Sequence, residues 1–190
     1  MKRWISGKIS ESIAVKQDLL KEERLLETLV RVIEEGVLCF KEDRKILFCG
    51  NGGSAADAQH LAAELSGRFY KDRRPLFAEA LHVNTSYLTA VGNDYSYEEI
   101  FSRLVEATGR KGDLLVGLST SGNSMNVVRA LQKAREIGMI TVGLTGATGG
   151  RMKECCQYLL NVPSTDTPRI QESHILLGHI FCEAVERDLF

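Results

Sequence analysis

Hydrophobic positions along this chain follow two periods. Leu26, Leu29, Val30, Ile33, Val37 and Phe40 recur at three- and four-residue steps with Glu, Lys and Arg between them, which predicts a long helix over residues 8–40. Beyond it, short apolar runs predict strands at 45–49, 76–81, 114–118, 139–144 and 157–162. Between them lie helical segments at 54–66, 86–91, 96–107 and 123–137, a short helix after Gly149, and a last helix from just after Pro168 to about 187. Gly138 suits the end of the fourth of these helices. The strand runs are too continuous for a sheet with one wet face. They imply an α/β fold: a doubly wound, mostly parallel five-stranded sheet flanked by helices, with a long N-terminal helix. With no internal repeat or linker, residues 1–190 read as one domain, of which about 1–40 form a helical extension. Ile9, Ile13, Leu20, Leu25, Leu26, Leu29, Val30 and Ile33 cover more than one side of that extension. Such a helix needs cover on several faces, and one small sheet covers only one.

Two loops behind predicted core strands carry polar chemistry. The first, Cys49-Gly50-Asn51-Gly52-Gly53-Ser54-Ala55-Ala56-Asp57-Ala58-Gln59-His60, joins strand 45–49 to an Ala-rich helix. Its glycines allow a sharp turn with bare N–H groups, and Ser54 is expected to cap the helix, whose N-terminal end favours an anion. The second, Leu118-Ser119-Thr120-Ser121-Gly122-Asn123-Ser124, offers hydroxyls and no charge that repels phosphate. In a parallel sheet both loops fall at the carboxyl ends of strands, where ligands bind. A phosphorylated ligand is the reading. Neither nucleotide motif holds: the GxGxxG match is weak, with the permitted Ala55 at its third glycine, no acidic residue ends the following strand, and the P-loop lysine is missing.

Composition narrows the classes. A formal net charge of −1 argues against a large nucleic-acid footprint, and Lys71-Asp72-Arg73-Arg74 reads as solvated loop. No apolar stretch reaches the roughly 18–20 residues of a membrane span, and no signal-peptide core follows Met1-Lys2-Arg3-Trp4. Cysteines 39, 49, 155, 156 and 182 form no CxxC pair and sit mostly in apolar runs, which favours buried free thiols and a cytoplasmic location.

Acid/base residues gather on two predicted helices. His60 and Glu64 lie four residues apart and share a face. Gln171 and His179 lie eight apart, about two turns, with Glu172 close to the same side. His82 and His174 read as core or hydrogen-bonded histidines.

These residues carry a resemblance. The segment from Gly50 to His60, with Glu64, Asn93-Asp94, Leu118 to Ser124, Leu144-Thr145-Gly146, Arg169-Ile170-Gln171-Glu172 and His179, resembles the sugar isomerase (SIS) domain superfamily and, within it, the phosphoheptose isomerases, over nearly the whole chain. The resemblance implies an aldose–ketose isomerase that converts sedoheptulose 7-phosphate to glycero-manno-heptose 7-phosphate, the first step toward ADP- or GDP-heptose. It implies substrate contacts from Asn51, Gly52, Gly53, Glu64, Asn93, Asp94, Ser119, Thr120, Ser121, Ser124 and Gln171. Glu64 and His179 would be the acid/base pair, and His60, Glu64, Gln171 and His179 would bind zinc. No nucleotide cofactor is implied, nor any nucleic-acid or membrane partner. It also implies a homotetramer with active sites between subunits, Asn93-Asp94 approaching a neighbour's site.

Pro168 stands where some members carry an aspartate proposed to open the sugar ring. Proline neither donates nor accepts a proton there, which leaves Asp166, water or the acyclic fraction of substrate for that step. The rival readings are a non-catalytic SIS protein (initiator-associating or sugar-phosphate-sensing), which lacks the acid/base pair, and an isomerase for another sugar phosphate.

Overall fold

The computed structural model describes residues 1–190. Its strands are β1 (Ile46–Gly50), β2 (Ala78–Ala80), β3 (Leu114–Leu118), β4 (Ile140–Thr145) and β5 (Tyr158–Asn161), in the order β2-β1-β3-β4-β5 with every neighbour parallel. Every residue of β1 and β3 is buried, which is why their sequences read as unbroken apolar runs. The period-2 pleat splits their side chains between two cores. Ile46, Phe48, Leu114, Val116 and Leu118 join one face, whereas Leu47, Cys49 and Leu115 join the other. The first face is covered by α2 (Glu23–Lys41), α3 (Gly53–Ser66) and α7 (Thr167–Leu189). The second is covered by α4 (Thr85–Asp94), α5 (Ile100–Thr108) and α6 (Met125–Ile137). Single 3-10 turns at Tyr97–Glu99 and Gly150–Glu154 complete the layer.

The expected helix over 8–40 is two helices. α1 spans Lys2–Leu19, and α2 begins at Glu23. Between them the ladder tightens: Lys21 N–H donates to Asp18 C=O and Glu22 N–H to Leu19 C=O, and Glu22 leaves the helical region (φ −83°, ψ 71°). The bend lets Leu19 and Leu25, on either side of it, both reach the core. α1 buries only Leu19 and leaves Trp4, Ile5, Ile9 and Ile13 exposed.

Polar contacts hold α1 to α7. Ser12 Oγ donates to Glu172 Oε2 at 2.6 Å, Arg169 Nη1 donates to the Lys8 carbonyl at 2.9 Å, and Arg169 pairs with Glu172. Glu172 therefore faces α1, not the acid/base residues of α7. The last helix starts at Thr167, one residue before Pro168, because proline in a first turn gives up an N–H that has no intrahelical partner anyway. Gly138 ends α6 in the left-handed conformation (φ 87°), as its position predicts. No helix is long and apolar enough to cross a membrane.

Candidate active site

The strand order reverses direction between β1 and β3, which makes their carboxyl ends the switch point where open α/β sheets bind ligands. The first loop leaves β1 there. Gly52 (φ 55°, ψ −120°) is the residue before α3 and occupies a conformation that L side chains rarely adopt. Its carbonyl accepts from the Ala55 and Ala56 amides, and the Asn51 carbonyl accepts from Ser54 N–H. Ser54 is thus buried inside the helix and does not cap it, because the turn closes two residues earlier than expected. The Gly52 and Gly53 amides take no backbone acceptor and lie exposed at the helix start. A Cβ on Gly53 would stand 2.6 Å from Gln171 Nε2, so α7 lays Gln171 directly on this turn.

The second loop leaves β3. Ser119 Oγ lies 2.9 Å from Ser124 Oγ and 3.5 Å from Ser121 Oγ, so three hydroxyls converge. The backbone around them is pinned: Gly122 N–H donates to Ser119 C=O, Gly146 N–H to Thr120 C=O, and Met152 N–H to Gly122 C=O. Gly122 (φ 68°) approaches so closely that a Cβ would meet the Gly149 carbonyl oxygen at 2.2 Å. Beside Thr120 and Ser121 lies a pocket of about 230 Å³, also lined by Gly146, Thr148, Ser164 and Thr167.

Two residues that the sequence did not single out join the loops. Asn126, buried at the start of α6, exchanges amide hydrogen bonds with Asn51 (2.9 and 2.8 Å), and Tyr97 Oη donates to Asn51 Oδ1 at 3.0 Å. A polar residue on the buried face of an apolar-spaced helix was the available signal for Asn126. Nothing local marks Tyr97.

The residues expected to act as acid and base lie on α3 and α7. His60 Nε2 is 3.0 Å from His179 Nε2 and 3.3 Å from Glu64 Oε1, with the imidazoles edge to face at 5.1 Å. One ligand atom from each of the three lies within 4.8 Å of the others. Two imidazole nitrogens bound at 2.0–2.1 Å to one tetrahedral zinc stand about 3.4 Å apart, so this His–His–Glu set fits a divalent ion. Gln171, the fourth expected ligand, rests on the Gly53 turn that opens the helix carrying His60 and Glu64.

Asp57 lies three residues before His60, on the same side of α3. Burial pushes its carboxyl up, with His60 and His179 pulling it back, and its Oδ2 is buried without a partner. His174, by contrast, is fully buried with Nε2 3.2 Å from the Thr145 carbonyl oxygen. Burial pushes its pKa down to about 4, and the bond to Thr145 only partly opposes that. His174 is a neutral core histidine, as expected. His82 is partly buried and also lowered by burial. Asn93 donates to Asp94 Oδ1 at 2.9 Å at the exposed end of α4, and no hydrogen bond joins either to the loops of its own chain.

A 2-1-3-4-5 parallel sheet, with hydroxyl and glycine loops at its switch point and an acid/base cluster beside them, defines the SIS-domain class, and the SIS domain family model matches residues 11–146. The chain belongs to the phosphoheptose isomerase family within it. It is 52% identical over 190 residues to the phosphoheptose isomerase of Clostridium acetobutylicum, covering 100% of this chain and 97% of that one. It is likewise 52% identical to that of Aneurinibacillus thermoaerophilus, covering 100% and 96%. The phosphoheptose isomerase structure from Neisseria gonorrhoeae superposes with a TM-score of 0.92 at 46% identity, over 98% of each chain.

Proposed function

We propose that this chain interconverts sedoheptulose 7-phosphate and glycero-manno-heptose 7-phosphate, with Glu64 and His179 moving the protons. A base takes a proton from C1 of the open-chain ketose and the electrons pass to O2 as an enediolate. A proton returned to C2, with the hydroxyl proton passed from O1 to O2, leaves an aldehyde at C1. The observation that carries the reading is the meeting of His60, Glu64 and His179 across α3, the helix that the glycine turn opens, and α7, which also lays Gln171 on that turn. Ser119, Thr120, Ser121 and Ser124 hold the phosphate. Asn51, Gly52, Gly53 and Gln171 hold the sugar, joined by Asn93 and Asp94 from a neighbouring subunit. Zinc would be held by His60, Glu64, Gln171 and His179, and when bound it supplies an electrophile for the developing oxyanion.

The same reading makes the assembly a homotetramer in the cytoplasm. Exposed Trp4, Ile5, Ile9 and Ile13 on α1, with Val30 on α2 and Ile180 on α7, support packing between copies. Turnover of sedoheptulose 7-phosphate against fructose 6-phosphate, with and without a chelator, tests the function. Heptose turnover that falls on chelation and returns with zinc is expected. Turnover of the hexose alone would sink the substrate assignment, and turnover indifferent to chelation would sink the metal.

A further inference from the structure

Beyond the acid/base cluster, the proposed chemistry leaves unused an ion pair whose two side chains are both almost wholly buried. Glu186 and Arg73 have side chains only 2% exposed, with Arg73 Nε 2.9 Å from Glu186 Oε2. The Glu186 carboxylate also accepts the backbone N–H groups of Phe69 (3.1 Å), Tyr70 (2.8 Å) and Lys71 (2.7 Å). The Arg73 guanidinium reaches the other way. It donates to the carbonyls of Leu65 (2.8 Å) and Gly67 (3.1 Å) and, through Nη2, to that of Glu64 (2.9 Å). Glu186 sits seven residues after His179 on α7, two turns along the same face. One buried pair therefore ties the last turn of α3, which carries Glu64, to the helix that carries His179. The segment it folds down lays Phe69 on His179, with ring centroids 5.8 Å apart and planes at 43°.

Stability alone is a weak reason for such a pair. Removing two charges from water costs about as much as their attraction returns, and apolar side chains of equal volume serve as well or better. Apolar side chains cannot hold these backbone amides and carbonyls in one fixed register. We propose that Arg73 and Glu186 are positioning residues for the acid/base pair: they fix the α3 end against α7 and press Phe69 onto the His179 imidazole. The proposal rests on the assignment of Glu64 and His179 given above.

The test uses the full chain with Arg73→Lys, Phe69→Leu and Phe69→Tyr, and Glu64→Gln as the reference for lost chemistry. Arg73→Lys keeps the charge and loses the fork that reaches the carbonyls. Misplacement of a reacting group by about 1 Å costs up to about a hundredfold. Arg73→Lys and Phe69→Leu should each lower kcat about ten- to a hundredfold with KM within about threefold, while circular dichroism and oligomer size stay unchanged. Phe69→Tyr, which keeps the ring, should recover most of the rate lost in Phe69→Leu. Folded Arg73→Lys and Phe69→Leu proteins with kcat within twofold of the parent would overturn the proposal and leave a purely structural clamp. A loss confined to KM would do the same. If Arg73→Lys does not fold, Phe69→Leu and its tyrosine rescue decide alone. Near-normal turnover by Glu64→Gln would instead remove the acid/base assignment, a failure separate from that of the clamp.

Discussion

The two ends of the candidate site are built by opposite means. The charged end stands on the helices α3 and α7, whose register brings His60, Glu64 and His179 together, and His60 keeps about half of its side-chain surface in solvent. The hydroxyl end stands on loops, and there the backbone does the fixing: Gly122 touches the Gly149 carbonyl, Met152 N–H closes onto Gly122, and Ser119 is 4% exposed. A helix face can exchange a side chain for an isostere and keep its shape. A loop packed backbone against backbone cannot move a hydroxyl without moving the sheet. The charged end thus suits groups that must change protonation, and the hydroxyl end suits a phosphate that only has to be held.

The largest expected effect removes both ends at once. Ile5, Ile9 and Ile13 are 47%, 57% and 50% exposed in the single chain, so their joint replacement by Glu should spare the fold and destroy packing between copies. Light scattering should show monomers, and activity should fall to background, because Asn93 and Asp94 would then reach no neighbour's cradle. Truncation of residues 1–30 is a poorer test, since it strips Leu19, Leu25 and Leu29 from the core. A fully active monomer would refute the shared site. Next in size, Glu64→Gln and His179→Gln should each cost about 10²–10⁴-fold in kcat in well-folded protein, as expected for a lost general acid or base. Near-normal turnover in either would end its assignment.

The sequence exposes these two ends unequally. The strands, the loops and the spacing of His60 with Glu64 were legible because continuous apolar runs and fixed helical steps are local facts. The break at Leu20–Glu22 was not, because apolar positions continue across it without Gly or Pro, and the bend answers to where Leu19 and Leu25 must go. Ser54 looked like a cap because it is the first capping residue after the glycines, yet the turn closes at Gly52. Glu172 shares a helix with His179 but turns to Ser12 and Arg169, a partnership fixed by where α1 docks. Asn126 and Tyr97 meet Asn51 only through the fold.

The hydroxyl end should answer with smaller losses, felt in binding. Ser121→Ala removes one contact to an anion, worth roughly 1.5–3 kcal/mol, or about ten- to a hundredfold in affinity. Ser119→Ala should act similarly and also cost some stability, since its hydroxyl is bonded to Ser124 inside the protein. Calorimetric titration with substrate and with inorganic phosphate reads both. Unchanged affinity for both ligands in either variant would place the phosphate elsewhere.

The smallest effect on rate, and the sharpest contrast on α7, belongs to His174. It lies five residues before His179 on the same helix, yet it is sealed against the Thr145 carbonyl, and burial lowers its pKa from 6.5 to about 4. Between those values the unfolded chain binds a proton that the folded chain refuses, so stability falls as pH drops from about 6.5 toward 4 and is level above that window. A shift of this size corresponds to about 3 kcal/mol across the window. His82, also lowered by burial, adds to the slope in the same direction. His174→Gln keeps a donor for Thr145 and removes the titration. Its kcat near neutral pH should stay within about threefold of the parent, and its denaturant midpoint should fall less steeply between pH 6.5 and 4. A rate loss as deep as that of His179→Gln would mean the buried histidine takes part in the chemistry, and an unchanged pH slope would mean its burial does not control the acid limb.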